Sequence, residues 1–339
     1  MFRILWLLIS LVAFAYSLLQ LADYWEYEEA PSNVEEKFKH NIQATQLTAE
    51  IERLIQNDDL DEARYTLELA HHFSYPLDYA SYRQRIDKLD TFEHRTKKNI
   101  TDFVDGFISG KGNNTVAIAG AVGADFTVVG DARDLYKEYQ KHQAGQEVDE
   151  LIITLSGIGI GLTAATIGSG GTAAPVKVGT SVLKLASKTG RLSRRFTQEL
   201  IIRAEKAFDW NQFIRLSQSA SDLRGIKRAA SQAFNPRAMK SLSELADQAN
   251  HIRKLTSTSD AIYLLKYVET ADDLRRIEKL ASKQGKYTKG IMKFLGKSAL
   301  RGTKILKRSI ELFISLAGLV LSGIFVVYFM FPTTKKANT

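Results

Sequence analysis

Residues 151–176 read LIITLSGIGIGLTAATIGSGGTAAPV, 26 consecutive residues without a charge, six of them glycine. The reading of this stretch decides the fold. A strand is excluded, because the run is too long and lacks turn residues at strand spacing. As a helix it carries small residues at every fourth position, Gly157, Gly161, Ala165 and Ser169. Such a ridge lets a second helix approach closely inside a membrane, whereas in a soluble helix each glycine costs about 1 kcal/mol relative to alanine. The expectation is a Gly-rich transmembrane segment over 151–176, ended by Gly168–Gly171 and Pro175.

Both chain ends are also apolar. Residues 4–22 are 19 uncharged residues and residues 312–334 are 23. At about 1.5 Å rise per residue, each run fits a hydrocarbon layer of roughly 30 Å. Ala13-Phe14-Ala15 offers a signal-peptidase pattern, but the apolar run continues past it, so an uncleaved anchor is expected. Tyr328, Phe329 and Phe331 lie near the far end of the second run, where an interfacial aromatic belt belongs.

Charge divides the chain. Residues 23–150 hold 14 Lys/Arg and 26 Asp/Glu, whereas residues 177–308 hold 29 and 11. Counting Lys and Arg beside the apolar runs, the sequence predicts residues 23–150 outside and 177–308 inside, with 151–176 crossing between them. A second Gly-rich stretch, 115–131, contains Asp125, which is costly at a bilayer centre. It is read as a re-entrant or interfacial segment packed on 151–176 through Gly120, Gly123 and Gly130.

The expected fold is therefore all-α. It comprises an anchor at 1–22, an acidic helical-hairpin domain at 23–114, the segment 115–131 and a charged linker helix at 132–150. The Gly-rich span 151–176, a basic helical domain at 177–308, a transmembrane helix at 309–334 and a tail at 335–339 follow. Within the acidic part, 47–70 shows helical periodicity on both sides of Asn57-Asp58-Asp59-Leu60-Asp61. It resembles half of a tetratricopeptide unit, although one unit makes no array; a helix is also expected over 80–108. In the basic part, Thr270 followed by Asp273 and then Gly285 outlines a capped helix. Lys297, Arg301, Lys304, Lys307 and Arg308, beside the last span, are candidates for contact with anionic lipid.

Chemistry is sparse. The absence of cysteine excludes disulfides, Cys-ligated metals and thiol catalysis. Ser109-Gly110-Lys111-Gly112 lacks the Walker A spacing, and Gly168-Ser169-Gly170 lacks the strand and downstream acid of a dinucleotide site. His71 and His72 are adjacent, so on a helix they point apart. No catalytic, cofactor or metal residues are assigned. The densest polar cluster, Asp125, Asp131, Arg133, Asp134 and Glu138, reads as a polar site at the membrane edge or, more simply, as a surface helix with local pairs such as Asp134–Lys137.

Two resemblances add to this reading. Asn57–Ala70, Phe107–Asn114, Ala124–Glu138, Gly157–Ala165 and Lys184–Ser193, in that order, resemble a family of uncharacterised proteobacterial inner-membrane proteins. That resemblance implies a bacterial inner-membrane location and lends no activity. Separately, Val129-Gly130-Asp131 and the charged helix after it resemble the pre-toxin segment of bacterial polymorphic toxins. Thr127 stands where that segment carries proline, and Ala144-Gly145 replaces its Thr-Gly. The expected function is a structural or adaptor role in the inner membrane. Its partners are the bilayer and a protein partner or a second copy, with nucleic acid ranked last. The alternative is a membrane-active protein that uses 115–131 and 151–176.

Overall fold

The computed structural model describes residues 2–24, 27–30, 33–91, 128–168, 173–220, 222–301, 303–306 and 310–330. Their regular elements are helices apart from one two-stranded ribbon. They fall into two compact units, one formed by both chain ends (Met1–Asn33 with Arg301–Thr339) and one by Val34–Leu300.

The terminal unit contains α1 (Phe2–Tyr24), β1 (Tyr27–Ala30), β2 (Thr303–Leu306) and α16 (Ile310–Met330). The helices pack on each other in antiparallel fashion. A β-carbon at Gly318 would meet Ser17 and one at Gly323 would meet Phe14, so the chain rises along one helix as it descends the other. Ser10, Ser315 and Ser322 are buried, and the Ser10 and Ser322 hydroxyls donate to the carbonyls of Trp6 and Gly318. Small side chains thus form the seam, while leucines, isoleucines and valines face outward on both helices. Tyr27 to Ala30 pair antiparallel with Leu306 to Thr303, so the segment 177–308, expected to be helical, contains a short strand. Both helices are long and apolar enough to cross a membrane.

The second unit is a helical body. It begins with α2 (Val34–Asn41), α3 (Ala44–Gln56), α4 (Leu60–His72) and α5 (Tyr79–Leu89). The expected hairpin at 47–70 is α3–α4, turning at Asp58, whose φ is +60°. The helix expected over 80–108 is seen as α5, and 92–127 lie outside the described residues. Then come α6 (Val128–Gln143), α7 (Glu150–Gly168), α8 (Ala174–Lys188), α9 (Arg194–Ala204), α10 (Trp210–Ser217) and α11 (Leu223–Ala233). The body closes with α12 (Lys240–Leu255), α13 (Thr258–Leu264), α14 (Ala271–Gln284) and α15 (Thr288–Leu295). Thr270 and Asp273 cap α14 reciprocally, and Gly285 follows at φ +53°.

Within the stretch 151–176, residues 151–162 form the buried centre of the body, which corrects the expectation of a membrane span. Every residue from 151 to 162 is buried. α6, α8, α9 and α11 surround α7, and a helix enclosed on all sides must be apolar on all sides. Its start is fixed by Asp149, whose carboxylate accepts from the Ile152 N–H at 3.0 Å; the Asp149 N–H in turn donates to Glu138 at 2.8 Å. The run then breaks, and Pro175 lies in the first turn of α8.

The two-compartment division is corrected by the same finding. Residues 34–89 and 177–300 share one unit, and the acidic α3–α4 hairpin lies against the basic α15. Glu62 binds Lys289 at 2.5 Å, Glu50 binds Lys293 at 2.8 Å and Glu68 binds Lys286 at 2.6 Å. The Tyr65 hydroxyl accepts from the Gly290 N–H and donates to the Lys286 carbonyl. Opposite charge along the chain is thus partly complementary charge across one fold.

Candidate functional site

Two features of the body concentrate polar chemistry. The first is buried. α6 carries Asp131 and Asp134 one turn apart, so both project from one face, and α8 carries Lys184 and Lys188 at i,i+4. Lys184 Nζ lies 2.5 Å from Asp131 Oδ1 and 3.1 Å from Asp134 Oδ2. Lys188 Nζ is 2.8 Å from Asp134 Oδ2, and Arg133 is 3.2 Å from Asp134 Oδ1. Lys184 and Asp131 are about as inaccessible as any side chain in the body, 1% and 2% exposed.

Burial raises the Asp131 carboxyl above the usual carboxylate range, against the pull of Lys184. Burial acts on Asp134 in the same direction, but Lys184 and Lys188 outweigh it and hold that carboxyl below its ordinary value. Burial also lowers Lys177 from the usual lysine value. α7 makes room for the cluster through Gly159, where a β-carbon would lie 2.4 Å from Asp131 Oδ2. The cluster ties α6 to α8, and the near-complete burial of Lys184 and Asp131 is that of a structural ion-pair network.

The second feature is an open groove of about 680 Å³ beside the start of α7. Phe208 and Phe234 form an antiparallel bridge, held by hydrogen bonds from Asp209 N–H to Ala233 O and from Asn235 N–H to Ala207 O. The groove lies between this bridge, Trp210 and the Glu150–Thr154 turn. Glu150, Glu205 and Asp209 stand on its lining with Lys206. Asp209 is engaged as the cap of α10, accepting from Gln212 N–H at 2.8 Å. Among the described residues, no group of three His, Asp or Glu side chains could hold a metal ion.

The sequence-selected residues are distributed as follows. Gly157 and Gly161 lie beneath aromatic rings of the body: a β-carbon at Gly157 would meet Phe208 and one at Gly161 would meet Phe234, at 2.3 and 2.2 Å. Ala165 is half-buried. Asp131 and Asp134 are in the buried network and Arg133 at its edge, so α6 is a packed element rather than a linker, and Asp134 turns to Lys184 and Lys188 instead of Lys137. Lys297 is paired with Glu269 at 2.6 Å and Arg301 is exposed. Lys304 lies on β2. Gly120, Gly123, Asp125, Lys307 and Arg308 lie outside the described residues.

Sequence reasoning missed Lys184, Gly159 and Gly179. A β-carbon at Gly179 would fall 1.7 Å from the Ala246 carbonyl oxygen, where α8 crosses α12. The available signal was a lone lysine in Ser181-Val182-Leu183-Lys184-Leu185-Ala186, since a charge within an apolar helical stretch needs a buried partner. Comparison of the chain with family models, curated proteins and solved structures gives no match.

Proposed function

We propose that this chain is a membrane-tethered helical adaptor, with the body 34–300 displayed on one side of a bilayer by the α1/α16 pair. The observation that carries the reading is the antiparallel packing of two helices of membrane length whose outward faces are apolar. In water such a surface is unfavourable by roughly 25 cal/mol per Å², and in lipid it is at rest. Because α1 and α16 are antiparallel, the chain between them leaves α1 and enters α16 at the same end of the pair, so in this reading it starts and finishes on one side of the bilayer, with the far ends of both helices on the other. The resemblance to proteobacterial membrane proteins makes the bacterial inner membrane the proposed bilayer. The proposed adaptor role involves a protein partner or a second copy, and the groove beside Trp210 supports a binding rather than a catalytic use.

The absence of cysteine makes the test clean. Single substitutions Asp61→Cys, Lys240→Cys and Lys335→Cys are labelled with an impermeant maleimide in intact and lysed cells. Asp61→Cys and Lys240→Cys are expected to label from the same side and Lys335→Cys from the other. Labelling of the first two from opposite sides, or release of the protein by alkaline carbonate, overturns the reading.

A second reading, membrane activity, is favoured by one observation: α7 has 19 residues, long enough to enter a bilayer if the body opened. It requires leakage of dye from liposomes by the purified chain, and intact liposomes rule it out.

A further inference from the structure

The basic excess of the body is spent unevenly. Around α15 each lysine meets a carboxylate: Lys286 with Glu68, Lys289 with Glu62 and Asp260, Lys293 with Glu50, and Lys297 with Glu269. Residues 210–240 are different. They hold six cations and one carboxylate, Asp222. That carboxylate caps α11 through the Gly225 N–H and pairs with Arg224 at 3.1 Å. Among the described residues, Arg215, Lys227, Arg228, Arg237 and Lys240 have no carboxylate within ion-pair distance.

Helical spacing gathers these charges. α11 buries Ile226, Ala229, Ala230 and Ala233 along one face, which leaves Arg224, Lys227 and Arg228 on the other. Arg224 is 93% exposed. The helical turn 236–239 continues the surface with Arg237 and then Lys240, both exposed. Leu223, at the start of α11, is 42% exposed beside Arg224. Adjacent like charges repel, and a face that concentrates them without counter-charges attracts an anionic surface.

We infer that the α11 face, extended by Arg237 and Lys240, docks on the phosphate headgroups of anionic lipid. The inference rests on the membrane-tethered reading, which brings a bilayer to this body. Lipid fits better than nucleic acid because the charges lie on an outward helix face ending in an exposed leucine. Single-stranded nucleic acid is held by free aromatic platforms, and the neighbouring Trp210 is instead stacked on Phe213 at 5.3 Å. Of the residues singled out beside the last span, Lys297 is paired with Glu269.

The test uses the full chain held in phosphatidylcholine nanodiscs and measures its capture of separate vesicles by flotation. Vesicles with 30% phosphatidylglycerol are expected to be captured and pure phosphatidylcholine vesicles not, with capture falling as salt rises. Arg224→Gln/Lys227→Gln/Arg228→Gln is expected to weaken capture at least about tenfold, since each cation near a leaflet adds to attraction. The exposed control Arg275→Gln/Lys279→Gln/Lys283→Gln should leave capture unchanged. Equal loss in both triple variants, no preference for anionic vesicles, or tighter binding of a DNA duplex than of the vesicles overturns the inference. Failure of the chain to enter nanodiscs instead overturns the tethered reading beneath it. If the α11 variant misfolds by circular dichroism, the salt dependence of wild-type capture decides.

Discussion

Three stretches of this chain share an apolar, nearly uncharged composition, yet α7 is enclosed while α1 and α16 present their side chains outward. Within α7 the run from 151 to 162 is buried without interruption. In α1, Val12 is 69% exposed, and in α16, Val320 is 60% exposed. The difference lies in what glycine does. In α7, Gly157, Gly159 and Gly161 admit Phe208, the Asp131 carboxylate and Phe234 directly onto the helix backbone. Those partners come from elements that carry their own polar outer faces. α1 and α16 carry bulky aliphatic side chains around most of their circumference and share only a narrow seam of serine and glycine. Hydropathy measures the helix alone, and enclosure depends on the neighbours.

The sharpest way to break the comparison is to put a charge in each class of helix. Leu155→Arg buries an unpaired cation at a fully enclosed position and is expected to cost more than about 4–5 kcal/mol, so the body loses its cooperative thermal transition. Val320→Arg faces outward and should leave that transition in place. It should weaken retention in membranes instead, since an arginine at a span centre costs roughly 2.5–3.5 kcal/mol on insertion scales. If Leu155→Arg leaves the body folded, α7 is not its core.

Next comes the ion network behind α7. Lys184→Met takes from buried Asp131 the lysine that pairs with it, while Asp134 keeps Lys188 and Arg133, and is expected to cost about 3–5 kcal/mol by denaturant titration. Adding Asp131→Asn should recover much of the loss, because the position beside the missing lysine then carries no buried charge, while Asp134 stays paired with Lys188 and Arg133. No recovery would mean that the lysine acts by packing alone.

Glycine substitutions sharpen the comparison further. Gly179→Ala presses a methyl group on the Ala246 backbone carbonyl, which cannot rotate away, and about 3 kcal/mol is expected. Gly157→Ala presses on the Phe208 ring, a side chain rather than backbone, and about 1 kcal/mol is expected. Equal melting points for the two variants would contradict the distinction.

The smallest effect concerns the acidic–basic contact. Arg53 above all, with Lys293 opposing the effect of burial, lowers the Glu50 carboxyl to about 2. A carboxyl depressed in the folded state stabilises the fold above its ordinary value and loses that contribution as pH falls. Amide exchange in α15 should therefore quicken as pH drops from about 4.5 towards about 2, after correction for intrinsic rates. Lys293→Gln should reduce this dependence.

Much of the local structure was legible. The capping pair Thr270–Asp273, the α3–α4 hairpin and the helical class all follow from short-range rules that tertiary contacts here do not override. The two terminal helices were legible as long apolar elements, because length and composition suffice for that statement. The role of 151–176 was not. Small residues at every fourth position serve close packing equally well in lipid and in a protein core, and the spacing does not say whether a lipid-facing helix or a phenylalanine fills the groove. The charge division misled for a related reason. Lys and Arg near an apolar run signal a cytoplasmic flank only if the run crosses. Here several of those lysines neutralise carboxylates more than 200 residues away in sequence.

By itself the sequence determined the helical class, the apolar ends and the exclusion of thiol and disulfide chemistry, since each depends on residue type and local spacing. Tertiary structure alone decided that the acidic residues 34–89 and the basic residues 177–300 share one body, that Lys184 is buried between Asp131 and Asp134, and that Lys227 and Arg228 of α11 are left without a carboxylate in ion-pair reach. Those outcomes depend on which distant side chains meet, and a helix records only the face it offers, not the partner that covers it.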